Sequence, residues 1–260
     1  MEIATATNLL SRILWIAFDM LRARYVRTKL GLVWAIAQPA LMFVVFWFVT
    51  AFGLKMSSTV GTPFFAYLFG GLLPWIAFSN AVNDGMGSLS ANQHLVRQVD
   101  FPLFLIPIAA VLSNLFVHIP LTLVVVIILA FNGIFPTAAF FTLPLYFLGL
   151  GLMAIALVMP LSVLSIRSPD VNQAFSVVLL LLFWFTPIIW SSSALSPDFL
   201  NFIRVNPFFW VVGGYRHALL GTPSPDSVLY FAYVSGSTLL MLAIGIMIFR
   251  YFRKRLGDYL

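Results

Sequence analysis

A chain of 260 residues that is 62% hydrophobic and 8% charged, with a mean hydropathy of +1.03, carries more apolar surface than one water-facing core can bury, and it requires lipid as solvent. With no cysteine, disulfides and thiolate metal sites are excluded and the redox compartment is left open. A formal charge of +6 would point to nucleic acid in a soluble protein, but here the placement of the charge matters more than its size, and no nucleic-acid partner is expected.

Residues 1–29 form the first unit. From Asn8 to Lys29, apolar Leu9, Leu10, Ile13, Leu14, Ile16, Met20 and Leu21 are mixed with Arg12, Asp19, Arg22, Arg24 and Arg27. Every charge-free window in this stretch is too short to span a bilayer. The pattern predicts an amphipathic helix lying at an interface, with its basic side chains near lipid phosphates. The basic cluster follows the apolar run and no small-residue cleavage site appears, which argues against a signal peptide.

Residues 30–260 form a membrane domain. A hydrocarbon core about 30 Å thick takes roughly 20 helical residues to cross. Charge-free intervals of that length predict an all-α integral membrane fold with six spans, at residues 30–54, 63–82, 102–131, 137–166, 171–190 and 227–249. The long interval from Phe101 to Ile166 is divided by Asn132-Gly133 and Pro136. In the first span Pro39 predicts a bend, with Gln38 beside it to bond a freed carbonyl. In the second, Gly70-Gly71 permits close helix approach. Asn114 and His118, one turn apart in the third, predict a helix-to-helix hydrogen bond rather than a proton relay.

An even number of spans puts both termini on one side. Taking that side as cytoplasmic places eleven of the 14 basic residues there and leaves only Lys55, Arg204 and Arg216 outside, so the orientation follows. The polar interruption at 83–101 then faces the cytoplasm. Gly85 and Gly87 are expected to break the preceding helix, and Pro102 to sit in the first turn of the next. Between them Leu89, Leu95, Val96 and Val99 are interleaved with Ser90, Asn92, Gln93, Arg97 and Gln98, which suits a helix of about three turns with one apolar edge. Such an edge can dock on a soluble partner. The plainer alternative is a solvated turn, although a turn needs only about four to six residues.

The second cytoplasmic loop, Arg167-Ser168-Pro169-Asp170, reads either as another docking point or as a snorkelling arginine beside an N-capping aspartate. The outer segment at 191–226 is too polar to span twice, yet Phe199, Phe202, Phe208, Phe209, Trp210 and Tyr215 make it too aromatic for a plain loop. Pro197, Asn206-Pro207 and Gly213-Gly214 divide it into pieces of about two turns, which predicts short re-entrant helices able to act as an outer gate.

Several chemistries are missing from the sequence. No phosphate-binding loop is present, since none of Lys29, Lys55 and Lys254 follows a glycine. His94, His118 and His217 fall on different segments and lack zinc spacing. Every Asp and Glu is expected at or beyond a helix end, so no span is expected to hold a proton-relaying acid. The energy source is therefore expected on another chain.

Arg24-Tyr25, Leu30-Gly31, Trp34 and Pro39 are followed in order by Gly71-Leu72-Leu73-Pro74-Trp75, Asn92 with Leu95, Phe101-Pro102, Pro187-Ile188, Asn206-Pro207 and Arg216. Over nearly its whole length this series resembles the membrane subunits of ABC type 2 exporters for bacterial polysaccharides, the permeases for O-antigen, teichoic acid and capsule. The resemblance implies a multi-pass protein of the bacterial inner membrane with no catalytic or metal residues and no cofactor of its own. It implies a homodimer served by two copies of a separate ATPase that carries ATP and Mg.

By the same resemblance, Ser88, Leu89, Asn92, Leu95, Val96 and Arg97 belong to a coupling helix seated in that ATPase. Arg167 and Asp170 form a smaller contact, and Asn206, Pro207, Trp210, Tyr215 and Arg216 belong to the outer gate. Two departures from the family pattern are the Ser168-Pro169 inserted within the Arg-Asp pair and the ending Gly257-Asp258-Tyr259-Leu260. The implied substrate is a glycan on a polyprenyl diphosphate lipid. Phe43, Trp47, Trp184 and Trp190 are candidates for stacking on its sugars, against the ordinary enrichment of Trp at membrane interfaces. Arg24 and Arg27 are candidates for meeting the diphosphate or ordinary lipid headgroups. The alternatives are a permease for a small lipid or drug, and an ATP-independent channel or scaffold.

Overall fold

Leu, Ile, Val and Phe in long charge-free runs cannot leave backbone amides unpaired in lipid, so the chain folds into helices. The computed structural model describes residues 2–26, 28–53, 55, 62–96, 101–191, 195–224 and 228–253, with the side chains of 2–8 and 253 left aside. In chain order the helices are α1 (Glu2–Tyr25), α2 (Val33–Phe48), α3 (Phe64–Ala91), α4 (Gln93–Val96), α5 (Leu105–Phe131), α6 (Leu143–Arg167), α7 (Asp170–Phe185), α8 (Pro197–Arg204), α9 (Phe208–Leu220) and α10 (Val228–Arg253). A π-helical turn at Val49–Gly53 extends α2, and a 3-10 turn at Ala138–Thr142 leads into α6.

Among the described residues five helical stretches are long and apolar enough to cross a membrane, Val33–Gly53, Phe64–Ala91, Leu105–Phe131, Ala138–Arg167 and Val228–Phe252. The fifth expected span, 171–190, is shorter than predicted. Its helix α7 has 16 residues and stops at Phe185. The cause is Pro187, which disfavours helical backbone at the residue before it; Thr186 is extended, with φ −97 and ψ 135. Asp170 is the first residue of α7 and makes no capping hydrogen bond, so the expected aspartate N-cap is not formed.

The second span departs in the opposite sense. Gly85 and Gly87 do not break the helix, which runs on to Ala91. Gly85 is kept for packing, because a Cβ there would lie 2.5 Å from Cγ1 of Val158 on α6. The polar side chains that follow bond to carbonyls of their own helix, Ser88 Oγ donating to Gly85 O at 2.7 Å and Asn92 Nδ2 to Ser88 O at 2.8 Å. A polar stretch can therefore continue a helix whose neighbours are close enough to bury it. Asp84 consequently lies inside α3, two turns from its end, which corrects the expectation that every acid sits at a helix terminus.

Helix α3 is the axis of the fold. It is buried from Ala66 to Phe78 apart from Tyr67, and the main core gathers α5, α6, α7 and α9 around it. A second, smaller core lies at the far end of α3, where Leu89 and Val96 pack with Leu103, Ile106, Met159, Val163 and Phe249. The C-terminal half of α1 packs along α5 and buries Ala17 and Leu21, while Leu10, Leu14, Trp15 and Phe18 face outward.

Candidate functional site

Two constellations stand at opposite ends of α3. At the end that carries Arg24, Lys29 and Arg167, the segment from Ser88 to Val96 forms the last turn of α3, a break at Asn92 and the single turn α4. This is shorter than the three-turn helix expected. Its apolar edge is also used differently, because Leu89 and Val96 are buried within the chain and Leu95 is half-buried against the same core. Ala91, Gln93 and His94 are the residues left exposed. Any surface offered to a partner here is therefore mostly polar. Arg97 lies outside the described residues, as does Arg27. Arg167 is exposed, with its guanidinium 5.9 Å from the centroid of Phe252, and Asp170 is exposed beside it.

Just above this segment, α3 presents two adjacent polar residues to different neighbours. Asn83 Oδ1 accepts from Ser176 Oγ of α7 at 3.1 Å. Asp84 Oδ2 forms an ion pair with Arg24 of α1 and accepts from Asn114 Nδ2 of α5 at 2.8 Å. Asn114 also accepts weakly from Arg24, at 3.4 Å. Arg24, proposed from sequence to face a diphosphate or headgroups, is thus engaged inside the chain. The sequence reading missed Asp84 in this role, although an acid directly after the apolar run 63–82 was the available signal.

At the other end, α8 and α9 form a helical hairpin. Its connection comes close to the midpoint of α3, with Phe208 4.5 Å from Phe78 and 5.3 Å from Trp75 between ring centroids. Close approach is set by side chains missing at glycine: Gly214 leaves room for the ring of Tyr146, and a Cβ at Gly149 would lie 2.6 Å from the ring of Trp210. Trp210 is buried against Tyr146 at 4.8 Å. Tyr215 meets His118 Nε2 through its hydroxyl at 2.7 Å, the helix-to-helix bond expected of His118. His118 Nδ1 has no hydrogen-bond partner among the described residues.

Beyond α7 the backbone from Thr186 to Trp190 is irregular, and its carbonyls need donors. Arg216 supplies two of them and also bonds α3. Its Nη1 donates to Pro187 O at 2.7 Å, its Nη2 to Ile188 O at 2.8 Å and its Nε to Tyr67 O at 3.1 Å, while the guanidinium lies 3.4 Å from the Tyr67 ring centroid. Gly71 makes space for it, since a Cβ there would lie 2.7 Å from Nη2. Tyr67 Oη donates to Trp190 O at 3.0 Å, and Asn206 Nδ2 donates to Thr186 Oγ1 at 2.9 Å while its Oδ1 accepts from Phe208 N at 3.0 Å. Asn206 and Arg216 thus tie the hairpin to the segment at the end of α7. Tyr67 and Thr186 escaped the sequence reading, because nothing in their local pattern marks a partner so distant in the chain.

The four aromatic residues considered for a channel separate into two groups. Trp184 and Trp190 are brought together by a hydrogen bond from Trp190 Nε1 to Trp184 O at 3.1 Å. On α2, Phe43 is buried against Phe69 at 4.9 Å, whereas Trp47 is exposed and edge-on to Phe52 at 5.7 Å.

Residues 12–220 match the family described as ABC-2 type transporter. The chain is 25% identical over 246 residues to the O-antigen export system permease protein RfbA of Klebsiella pneumoniae, covering 92% of this chain and 91% of the relative. It is 29% identical over 228 residues to the protein of the same name in Myxococcus xanthus, covering 86% and 85%. With the polysialic acid transport protein KpsM of Escherichia coli it shares 23% identity over 232 residues, covering 88% and 89%. The matched region takes in α2 to α9, both constellations included, and the chain belongs to the ABC-2 type transporter family.

Proposed function

We propose that this chain is the membrane-spanning subunit of an ATP-driven exporter that carries a lipid-linked polysaccharide of the O-antigen kind across the bacterial inner membrane. Two copies form the channel, and two copies of a separate ATPase bring ATP and Mg. The observation that carries the substrate class is the relation along nearly the full length of both chains to proteins named for O-antigen export and polysialic acid transport.

In this reading α7 together with the segment 186–190 completes a sixth crossing, and both termini are cytoplasmic, as the distribution of Lys and Arg supports. The α8–α9 hairpin re-enters the membrane from outside as the outer gate. Its irregular flanks are tolerable there because Arg216, Tyr67 and Asn206 satisfy them. The segment Ser88–Val96 is the ATPase contact, through its exposed Gln93 and His94 and the half-buried Leu95. Arg167 and Asp170 flank it as a second contact. Exposed Trp47 and Trp184 are the channel aromatics best placed to meet sugars across a dimer.

Deleting the gene tests this reading. The expected result is loss of surface glycan with accumulation of lipid-linked glycan on the inner leaflet, restored by the wild-type gene. Normal surface glycan in the deletion strain would contradict it. Leu95→Asp should leave the chain in the membrane but weaken its co-purification with the ATPase; full binding and export in that variant would move the contact elsewhere.

A further inference from the structure

The Arg24–Asp84 pair has an unusual position. Asp84 is rigidly connected to the start of the segment 88–96, because Phe64–Ala91 is one helix and Ser88 lies a single turn beyond Asp84. Arg24 is in the last turn of α1. From there the described residues lead to α2 through tight turns, with Thr28 Oγ1 donating to Tyr25 O at 2.9 Å and Gly31 N donating to Thr28 Oγ1 at 3.1 Å. Gly31 has φ +55, a backbone conformation that favours glycine. Thr28 thus bonds both Tyr25 at the end of α1 and Gly31 just before α2.

Helix α2 is the less tightly held partner. Along its length Ala35, Pro39 and Phe43 are buried, while Leu41, Val44, Val45 and Phe48 face outward. Phe43 against Phe69 and Phe46 against Phe183 hold it to α3 and α7. Asn83, next to Asp84, bonds Ser176 and so grips α7 at the same level. The two side chains make this third of α3 a hub between the α1–α2 unit and α7.

Both members of the ion pair are about one-third exposed, and Asn114 supports the carboxylate from α5. A pair in that setting contributes little to stability, because water screens it and can replace either partner.

We infer that Arg24 and Asp84 are positioning residues, and that their ion pair is the joint through which displacement of α3 at the ATPase contact reaches α1 and, through the 28–32 turn, the first span. The inference rests on the export reading above for the source of the displacement. Neither residue touches substrate in this role.

Charge exchange provides the test, in cells lacking the chromosomal copy. Arg24→Asp and Asp84→Arg should each reach the membrane at normal abundance, keep the purified complex's thermal midpoint and lower surface glycan by at least about five-fold. The double variant Arg24→Asp/Asp84→Arg should recover most of the loss. Failure of the double variant to recover, with both chains abundant in the membrane, overturns the joint.

A second measurement does not depend on the substrate. The chain has no natural cysteine, so Arg24→Cys/Asp84→Cys can be bridged in the purified complex by a reducible bifunctional thiosulfonate. The bridge should lower ATP hydrolysis by at least about five-fold, with recovery on reduction. Undiminished hydrolysis in the bridged complex overturns the proposal. Suppressed hydrolysis in the bridged complex, together with normal surface glycan in the deletion strain, keeps the joint and removes the polysaccharide reading.

Discussion

Arg216 and Arg24 are both held inside the fold, and they are held in opposite ways. Arg216 is buried and bonds three backbone carbonyls, those of Tyr67, Pro187 and Ile188. Arg24 is partly exposed and bonds one carboxylate and one side-chain amide. Moving Arg216 would orphan the carbonyls of Pro187 and Ile188 and a charge where no water replaces them, whereas moving Arg24 exchanges its two side-chain partners for solvent. The difference teaches that the hairpin is fastened to the segment after α7 and to α3 by bonds that water cannot replace, while the contact at the opposite end of α3 is one that solvent can replace.

The sharpest way to break this contrast is to remove both cations. Arg216→Met should destabilise the chain by about 2 kcal/mol or more, because each of the two orphaned buried carbonyls costs on the order of 1 kcal/mol or above. Thermal unfolding in detergent and membrane abundance would show it. Arg24→Met should change the same midpoint by less than about 1 kcal/mol, with its effect appearing in export. Equal destabilisation by the two would erase the distinction.

Packing gives a smaller effect. Gly85→Ala should cost about 1–3 kcal/mol, since Val158 is stiff, fully buried and already in the way. Tyr215→Phe removes the hydroxyl from His118 Nε2 and should cost about 1 kcal/mol, visible as a modest fall in the midpoint. The smallest effect has the opposite sign. Gly87→Ala, two residues from Gly85, meets nothing within 4 Å and should stabilise the helix by up to about 1 kcal/mol. Loss of stability at Gly87 would mean that the end of α3 is more tightly packed than its surroundings indicate.

Much of this architecture was legible in the residues. Charge-free length marked the spans, and Asn206-Pro207 with its aromatic neighbours marked a helical hairpin, although Gly213-Gly214, expected to divide it, lies inside the unbroken α9. What failed did so for identifiable reasons. Gly85 was read as a helix breaker, but a glycine can equally be the place where another helix comes close, and that depends on Val158, more than 70 positions away. Leu89 and Val96 were read as an edge for a partner because a local pattern shows that a face is apolar without showing what covers it. Their cover is Leu103, Ile106, Met159, Val163 and Phe249, drawn from three other helices and the turn before α5. Pro187 did carry a local signal, the extended backbone it imposes on Thr186, and this explains the early end of α7. Arg216 was visible in sequence as a basic residue outside the cytoplasmic set, but the carbonyls it serves were not.

The account rests on the segment 88–96 being where a nucleotide-hydrolysing partner meets the chain. A photoreactive amino acid at position 94, exposed in α4, tests this directly in intact cells. The account predicts a cross-link to a single soluble ATP-binding polypeptide, changed in yield when ATP hydrolysis is blocked. Cross-links confined to lipid or to periplasmic proteins would contradict it.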